Sequence, residues 1–220
     1  ATLKAGESAE YPLGEARNRA LDHARGEYIA FLDCDDTWLP EKLEKQVGIL
    51  ETHPEIGFVH GNMYVSDEIN KKRYLVLKTP QPQGMIFEHM LNNYAIGLLC
   101  VMFRKTILEK VGSYFDVKLN FAADYDLFLR ILHETNSHYF KEPLAQARIH
   151  PSMTSIKGYA NTQAEVSYVI DKFSRFYTGF EKMYPDVVRQ SKIRLIYSQI
   201  WLSMAKGDLR AVRQRKDIIK

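Results

Sequence analysis

Hydrophobic and polar positions follow two periods along this chain, and the change of period divides it. Up to about Pro151, short apolar runs alternate with stretches of helical spacing; beyond it only helical spacing remains. Ala1–Gly14, with Gly6, Ser8, Pro12 and Gly14, reads as loop. Glu15–Arg25 places Ala16, Ala20, Leu21 and Ala24 at helical spacing, with Gly26 as the terminating glycine. Tyr28–Leu32 is a continuous apolar run, a short buried strand. Pro40 suits the first position of a second helix through His53, whose Leu43, Val47 and Leu50 share a face and which Pro54 stops. IGFVHGNMYV reads as a strand and SDEINKKR as a charged turn. Gly84–Asn92 and Lys105–Val111 read as helices around a buried strand, Ala95–Phe103, and Gly112–Phe121 as irregular. Asp124–His133 is helical, with Leu127, Phe128, Ile131 and Leu132 towards the core, and HYFKEPLAQARIH suggests a closing strand pair. The last region carries two amphipathic stripes. One runs through Val166, Val169, Ile170, Phe173, Phe176, Tyr177 and Phe180; the other through Ile193, Ile196, Tyr197, Ile200, Trp201 and Met204.

The apolar run at Tyr28–Leu32 ends in Asp33, Asp35 and Asp36, followed by Thr37, Trp38, Leu39 and Pro40. Open α/β sheets bind ligands beyond the carboxyl ends of their strands, so this is where a site is expected. In an extended backbone Asp33 and Asp35 point to the same side, and two hard oxygen ligands suit Mg²⁺ or Mn²⁺, which in turn holds a diphosphate. The plain alternative is an Asp-rich turn bonded to its own backbone. Three carboxylates in four residues repel one another unless a cation or donors lie between them, which favours a site.

Three further stretches admit chemistry. Arg17, Asn18 and Arg19 form either a solvated helix face or, through the planar guanidinium of Arg17, a contact to phosphate or base. Asp124 opens a helix, where an acid is ordinarily a cap; its alternative role is a general base. Arg148, His150 and Ser152 follow a strand, and a lone histidine is more often structural than a ligand.

Composition narrows the classes. With 45% hydrophobic and 26% charged residues the chain has enough apolar content for a real core. A net charge of +3 is too mild to argue nucleic acid, and no nucleic-acid motif is present. Cys34 and Cys100 read as free thiols of a reducing, cytoplasmic compartment. No apolar run is long enough to span a bilayer and there is no signal peptide. Lys206–Lys220 holds six basic and two acidic residues, a solvated helix face or a peripheral contact with the inner face of a membrane. The chain opens on Ala1 rather than Met, as a fragment would.

Taken together, ARNRALDHARGEYIAFLDCDDTWLPEKLEKQV resembles the core of the family 2 glycosyltransferases, which have the GT-A fold. The segments QGMIFEHML, VMFRKTILEKVGSYFD, ADYDLFLRI and ARIHPSMTS follow in the family's order, so the resemblance covers roughly Gly14–Ser155. It implies an α/β fold: a partial GT-A-like mixed sheet flanked by helices over residues 1–155, with an all-helical appendage over 156–220. It further implies an inverting, metal-dependent transfer from a nucleotide-diphosphate sugar to a glycan or glycolipid hydroxyl, in cell-surface polysaccharide or glycolipid synthesis. By the same resemblance Asp33 contacts the ribose, Asp35 of the Asp-x-Asp motif binds Mn²⁺ or Mg²⁺, His150 contacts metal or diphosphate, Arg17 helps hold the nucleotide, and Asp124 is the catalytic base. Ala123 departs from the family's Glu-Asp pair, and the family's first strands, which carry most of the nucleobase pocket, have no counterpart.

Two other readings use the same residues. LDCDDT fits the Asp-x-Asp-x-Thr signature of haloacid-dehalogenase-like phosphatases, with Asp33 as nucleophile, but leaves ARNRAL and RIHPSMTS unexplained. A catalytically incomplete GT-A-like binding module is the other; Asp33, Asp35, Asp124 and His150 together argue against such decay.

Overall fold

The computed structural model describes residues 13–150 and 159–205. They form two compact units: one of the segments up to Val117 and from Leu127, the other of Lys118–Asp126 and the C-terminal helices.

The first unit is built on β3 (Ile56–Asp67), whose first seven residues are all buried. That burial follows from its place in the middle of a six-stranded sheet of order β1-β5-β3-β6-β2, with β4 also paired to β3. β1 is Tyr28–Ala30, β2 Thr37–Trp38, β4 Lys72–Leu75, β5 Met102–Arg104 and β6 Asn136–Ile149. The sheet is mixed: β3 and β6 run parallel, and every other pair is antiparallel. The predicted charged turn is shorter than SDEINKKR, because β3 runs on to Asp67 and β4 begins at Lys72.

Alternation along β3 sends side chains to two layers. Phe58 faces an aromatic cluster with Phe103 and Phe128, whose ring centroids lie 6.4 and 5.5 Å away, and Phe31 joins it against Phe115 at 5.4 Å. Phe128 belongs to α5 (Ala123–Glu134), whose Leu127, Ile131 and Leu132 are fully buried as their spacing predicts. Val59 faces the opposite layer with Leu50, Ile56 and Met102, under α2 (Lys42–Thr52). Gly57 is required by close approach: a Cβ there would lie 2.2 Å from Ile107 Cδ1 and 2.5 Å from Thr135 Oγ1.

Several elements differ from their sequence reading. The expected closing strand pair is one 14-residue strand, β6, parallel to β3 throughout, while β2 adds to it at Ala145 and Gln146. Pro143 stands within it, and the register shifts around Asn62, which is paired with that proline, accommodate the missing N–H. Ala95–Phe103 is not a long strand: a single 3₁₀ turn, Leu98–Cys100, leads into three-residue β5. Burial in a packed interior, not sheet pairing, makes that run apolar. α1 spans Leu13–His23 and stops before Gly26, because Ala24 N–H turns back to Leu21 O at 3.2 Å and Lys105 Nζ takes the Ala24 carbonyl at 2.6 Å. α2 starts at Lys42 rather than at Pro40, and α3 (Phe87–Asn92) is shorter than Gly84–Asn92 because Gly84 bridges to Ser137. α4 (Ile107–Val111) ends as a helix commonly does, on Gly112 in the left-handed region with φ 73°.

The second unit packs α6 (Tyr159–Phe176), α7 (Phe180–Met183) and α8 (Pro185–Ala205) with Lys118–Asp126. Val169, Ile170, Phe173 and Phe180 are buried as the first stripe predicts, but Phe176 is 76% exposed. The second stripe is followed only in part: Ile200 is buried as expected, but Ile193 and Tyr197 are exposed, and α8 also buries Val187, Ser191 and Ser198. Small residues let the two helices approach, and Ser167 Oγ donates across them to the Ser191 carbonyl at 2.8 Å. The side chains of Trp201 and Met204, together with Ala1–Pro12, Ser152 and the basic segment Lys206–Lys220, lie outside the described residues. Among the described residues no helix is long and apolar enough to cross a membrane.

Candidate active site

β1 stops at Ala30, and the chain rejoins the sheet as β2 at the other end of the strand order, so the acidic segment is the loop that carries it across. The loop is closed at its base: Trp38 Nε1 donates to the Phe31 carbonyl at 3.2 Å. Beneath Trp38 lies Lys42, only 1% exposed, with Nζ 4.4 Å from the indole centroid and 2.6 Å from Gln46 Oε1. Burial pushes the Lys42 ammonium down to about 8. Gln46 in turn donates to the Cys100 carbonyl at 2.7 Å, so a buried polar chain ties α2 to the 3₁₀ turn while Lys42 meets the end of the loop at Trp38.

Cys34 and Asp35 form a turn closed by Asp36 N–H to Asp33 O at 3.2 Å. The backbone is therefore not extended here, and the same-side argument for Asp33 and Asp35 does not apply. Each has its own partner instead. Arg17 Nη2 donates to both Asp33 oxygens, at 3.0 and 3.3 Å. Asp35 Oδ2 lies 3.0 Å from His150 Nε2, at the end of β6. The histidine hydrogen bond is the main cause that holds the Asp35 carboxyl below the usual carboxylate range, against its partial burial.

Residues without an assigned role in the sequence reading hold these pairs in place. Asp36 Oδ1 accepts the Arg148 N–H at 2.8 Å, which ties the acidic loop to β6 two residues before His150. Burial raises the Asp36 carboxyl, the Arg148 N–H opposes that rise, and the charges of Asp35 and Asp33 add to it. Arg148 itself pairs with Glu68, Nη2 to Oε1 at 2.8 Å. Asn18 and Phe115 exchange two hydrogen bonds of 2.9 Å, docking α1 on the loop after α4 and setting Arg17 under Asp33. Arg130 of α5 fixes that loop through the Ser113 and Tyr114 carbonyls, at 2.7 and 2.6 Å. No sequence pattern announces these links, since each joins residues far apart in the chain.

The first unit thus brings Arg17, Asp33, Asp35 and His150 into one neighbourhood. Asp124 belongs to the second unit, in the first turn of α5, where its Oδ1 lies 2.8 Å from Tyr125 N. Among the described residues no group of three or more His, Cys, Asp or Glu could hold a metal ion. Asp35 and His150 together fit a different arrangement. A carboxylate oxygen and an imidazole nitrogen 3.0 Å apart, both partly exposed, suit a divalent ion that takes its remaining ligands from phosphate and water.

Residues 9–112 match glycosyl transferase family 2. The UDP-Glc:alpha-D-GlcNAc-diphosphoundecaprenol beta-1,3-glucosyltransferase WfgD of Escherichia coli is 38% identical over 129 residues, covering 58% of this chain and 47% of that protein. The similarity to glycosyl transferase family 2 thus lies in the first half of the chain. The amylovoran biosynthesis glycosyltransferase AmsE of Erwinia amylovora is another relative, 34% identical over 120 residues, 54% of this chain and 44% of its own length. Among solved structures, S. aureus TarS 1-349 in complex with UDP superposes with a TM-score of 0.53 at 14% identity, covering 93% of this chain and 70% of that one. The likeness is one of fold, and the fold is of the GT-A type. The chain spans about half the length of the curated relatives it matches. The family match contains Arg17, Asp33 and Asp35 and ends before Asp124 and His150.

Proposed function

We propose that this chain carries the diphosphate-binding and acceptor-activating part of an inverting, metal-dependent glycosyltransferase. Its substrates in this reading are a UDP-sugar and a hydroxyl on a growing surface polysaccharide or glycolipid. The observation that carries the reading is the acidic loop itself, with Asp33 paired to Arg17 and Asp35 to His150. UDP is favoured over other nucleotides because the WfgD name specifies UDP-Glc and TarS is solved with UDP. A glycolipid or polysaccharide acceptor accords with the diphosphoundecaprenol and amylovoran of the relatives' names.

In this account Asp35 and His150 hold Mn²⁺ or Mg²⁺, which when bound supplies positive charge to the leaving diphosphate. Asp33 accepts from the ribose hydroxyls, and Arg17, already forked to Asp33, fixes that carboxylate and offers its guanidinium to the nucleotide. Asp124 accepts the proton of the acceptor hydroxyl as that oxygen attacks the anomeric carbon. The new C–O bond forms on the face opposite the departing diphosphate, the anomeric carbon–oxygen bond breaks with its electron pair going to UDP, and the configuration inverts. Residues 1–155 act as the partial transferase domain and the helices beyond as its extension.

The phosphatase reading has no comparable support: its nucleophile would be Asp33, which is held bidentately by Arg17. A transfer assay tests the proposal. The full chain with UDP-sugar, Mn²⁺ and a lipid-linked acceptor is expected to release UDP. Asp124→Asn is expected to slow transfer by about 10²–10⁴-fold, the usual span of general-base catalysis, while leaving UDP binding unchanged. Undiminished turnover in that variant would remove the base assignment.

A further inference from the structure

The start of α5 lacks a cap of its own. Ala122 and Ala123 stand where a helix usually has Ser, Thr, Asn or Asp, and neither side chain can accept a hydrogen bond. A residue more than 40 positions away instead anchors the backbone that leads into it. Glu165, on α6, accepts from three consecutive backbone N–H groups, with Oε2 2.7 Å from Phe121 N and 2.8 Å from Ala122 N, and both oxygens 3.1 Å from Asn120 N. Successive N–H groups turned to one side form a concavity that favours an anion, and the helix dipole adds to it.

Two helical turns further along the same face of α6, Lys172 Nζ pairs with Asp126 Oδ1 at 2.8 Å, and Asp126 is fully buried. The two attachments bracket Asp124: one grips the chain just before it and the other grips the residue two beyond. Every residue of this arrangement lies within the second unit.

We propose that Glu165 and Lys172 are positioning residues for Asp124, so that the helical extension sets the orientation of the base rather than merely following the transferase domain. The inference rests on the reading of Asp124 as the base. Its physical basis is that a first turn whose leading backbone is not anchored frays, and a carboxylate carried on a fraying turn samples many orientations.

The test compares Glu165→Ala, Glu165→Gln, Lys172→Met and Asp124→Asn in the full chain. Amide hydrogen exchange at residues 120–122 and steady-state transfer are both measured. Glu165→Ala is expected to lose exchange protection at Asn120, Phe121 and Ala122. It is expected to lower kcat about ten- to a hundredfold, the scale of a small misplacement, with KM for the UDP-sugar unchanged. Glu165→Gln keeps an acceptor oxygen and is expected to recover much of that loss. Lys172→Met is expected to lower kcat in the same way with the same unchanged KM. Protection unchanged in Glu165→Ala would overturn the clamp without reference to catalysis. Protection lost with kcat intact, alongside an inactive Asp124→Asn, would overturn the positioning role while leaving the base in place. A fully active Asp124→Asn would instead remove the base and the positioning role together.

Discussion

A carboxylate beside an imidazole is held in its charged form, and the consequence can be measured at Asp35. The histidine hydrogen bond lowers its folded pKa below the ordinary value of 3.8. A depressed carboxylate contributes stability that is present above the unfolded pKa and lost as pH falls through the folded one. Asp35→Ala should therefore melt below the parent protein at pH 7, with the gap closing as pH falls below about 3.8, the ordinary carboxyl value. A gap that persists undiminished at the acid end would show that the His150 contact is not its source. Asp36 behaves oppositely, since burial raises its pKa and its ionised form costs stability above the ordinary carboxyl range. The Arg148 N–H it accepts offsets part of that cost and ties the loop to β6. Asp33, Asp35 and Asp124 are legible in the sequence, because three acids at the end of an apolar run and an acid opening a helix are local patterns. The contacts that make Asp36, Asn18, Lys42 and Glu165 matter are not, because their partners lie from 43 to 112 residues away in the chain, or because a lysine does not advertise its burial.

Elements show the same division. β3 and α5 were predictable in place and type, since a long apolar alternation and a strong helical period both reach their ends with few interruptions. HYFKEPLAQARIH reads as a strand pair, whereas β6 is one strand that carries Pro143 where the register shifts at Asn62. At the start of β3, Gly57 lies close against Ile107 and Thr135. Gly57→Ala should destabilise the protein by about 1–3 kcal/mol, the cost of overpacking a filled core, because the added methyl meets Ile107 and Thr135. Chemical denaturation reads this directly; an unchanged midpoint would mean those side chains move aside freely. In α8 the sequence stripe holds at Ile200 but misses Ser191, whose carbonyl accepts from Ser167 across the helices and which no count of apolar residues selects.

At the scale of the whole molecule, a chain of GT-A fold, similar over residues 9–112 to glycosyl transferase family 2, is divided into two units, and the residues given separate roles fall in both. The first gathers Arg17 of α1 and His150 after β6 around Asp33 and Asp35 of the loop that crosses the sheet; the second carries Asp124 with its clamp from α6. The central claim is that the loop binds a nucleotide diphosphate through a divalent cation. Calorimetric titration of the chain with UDP, in Mn²⁺ and then in chelator, tests it most directly, with Asp35→Ala as the paired variant. The account predicts saturable binding that requires Mn²⁺ and is lost in Asp35→Ala. UDP binding equally tight in chelator, or undiminished in Asp35→Ala, would contradict it.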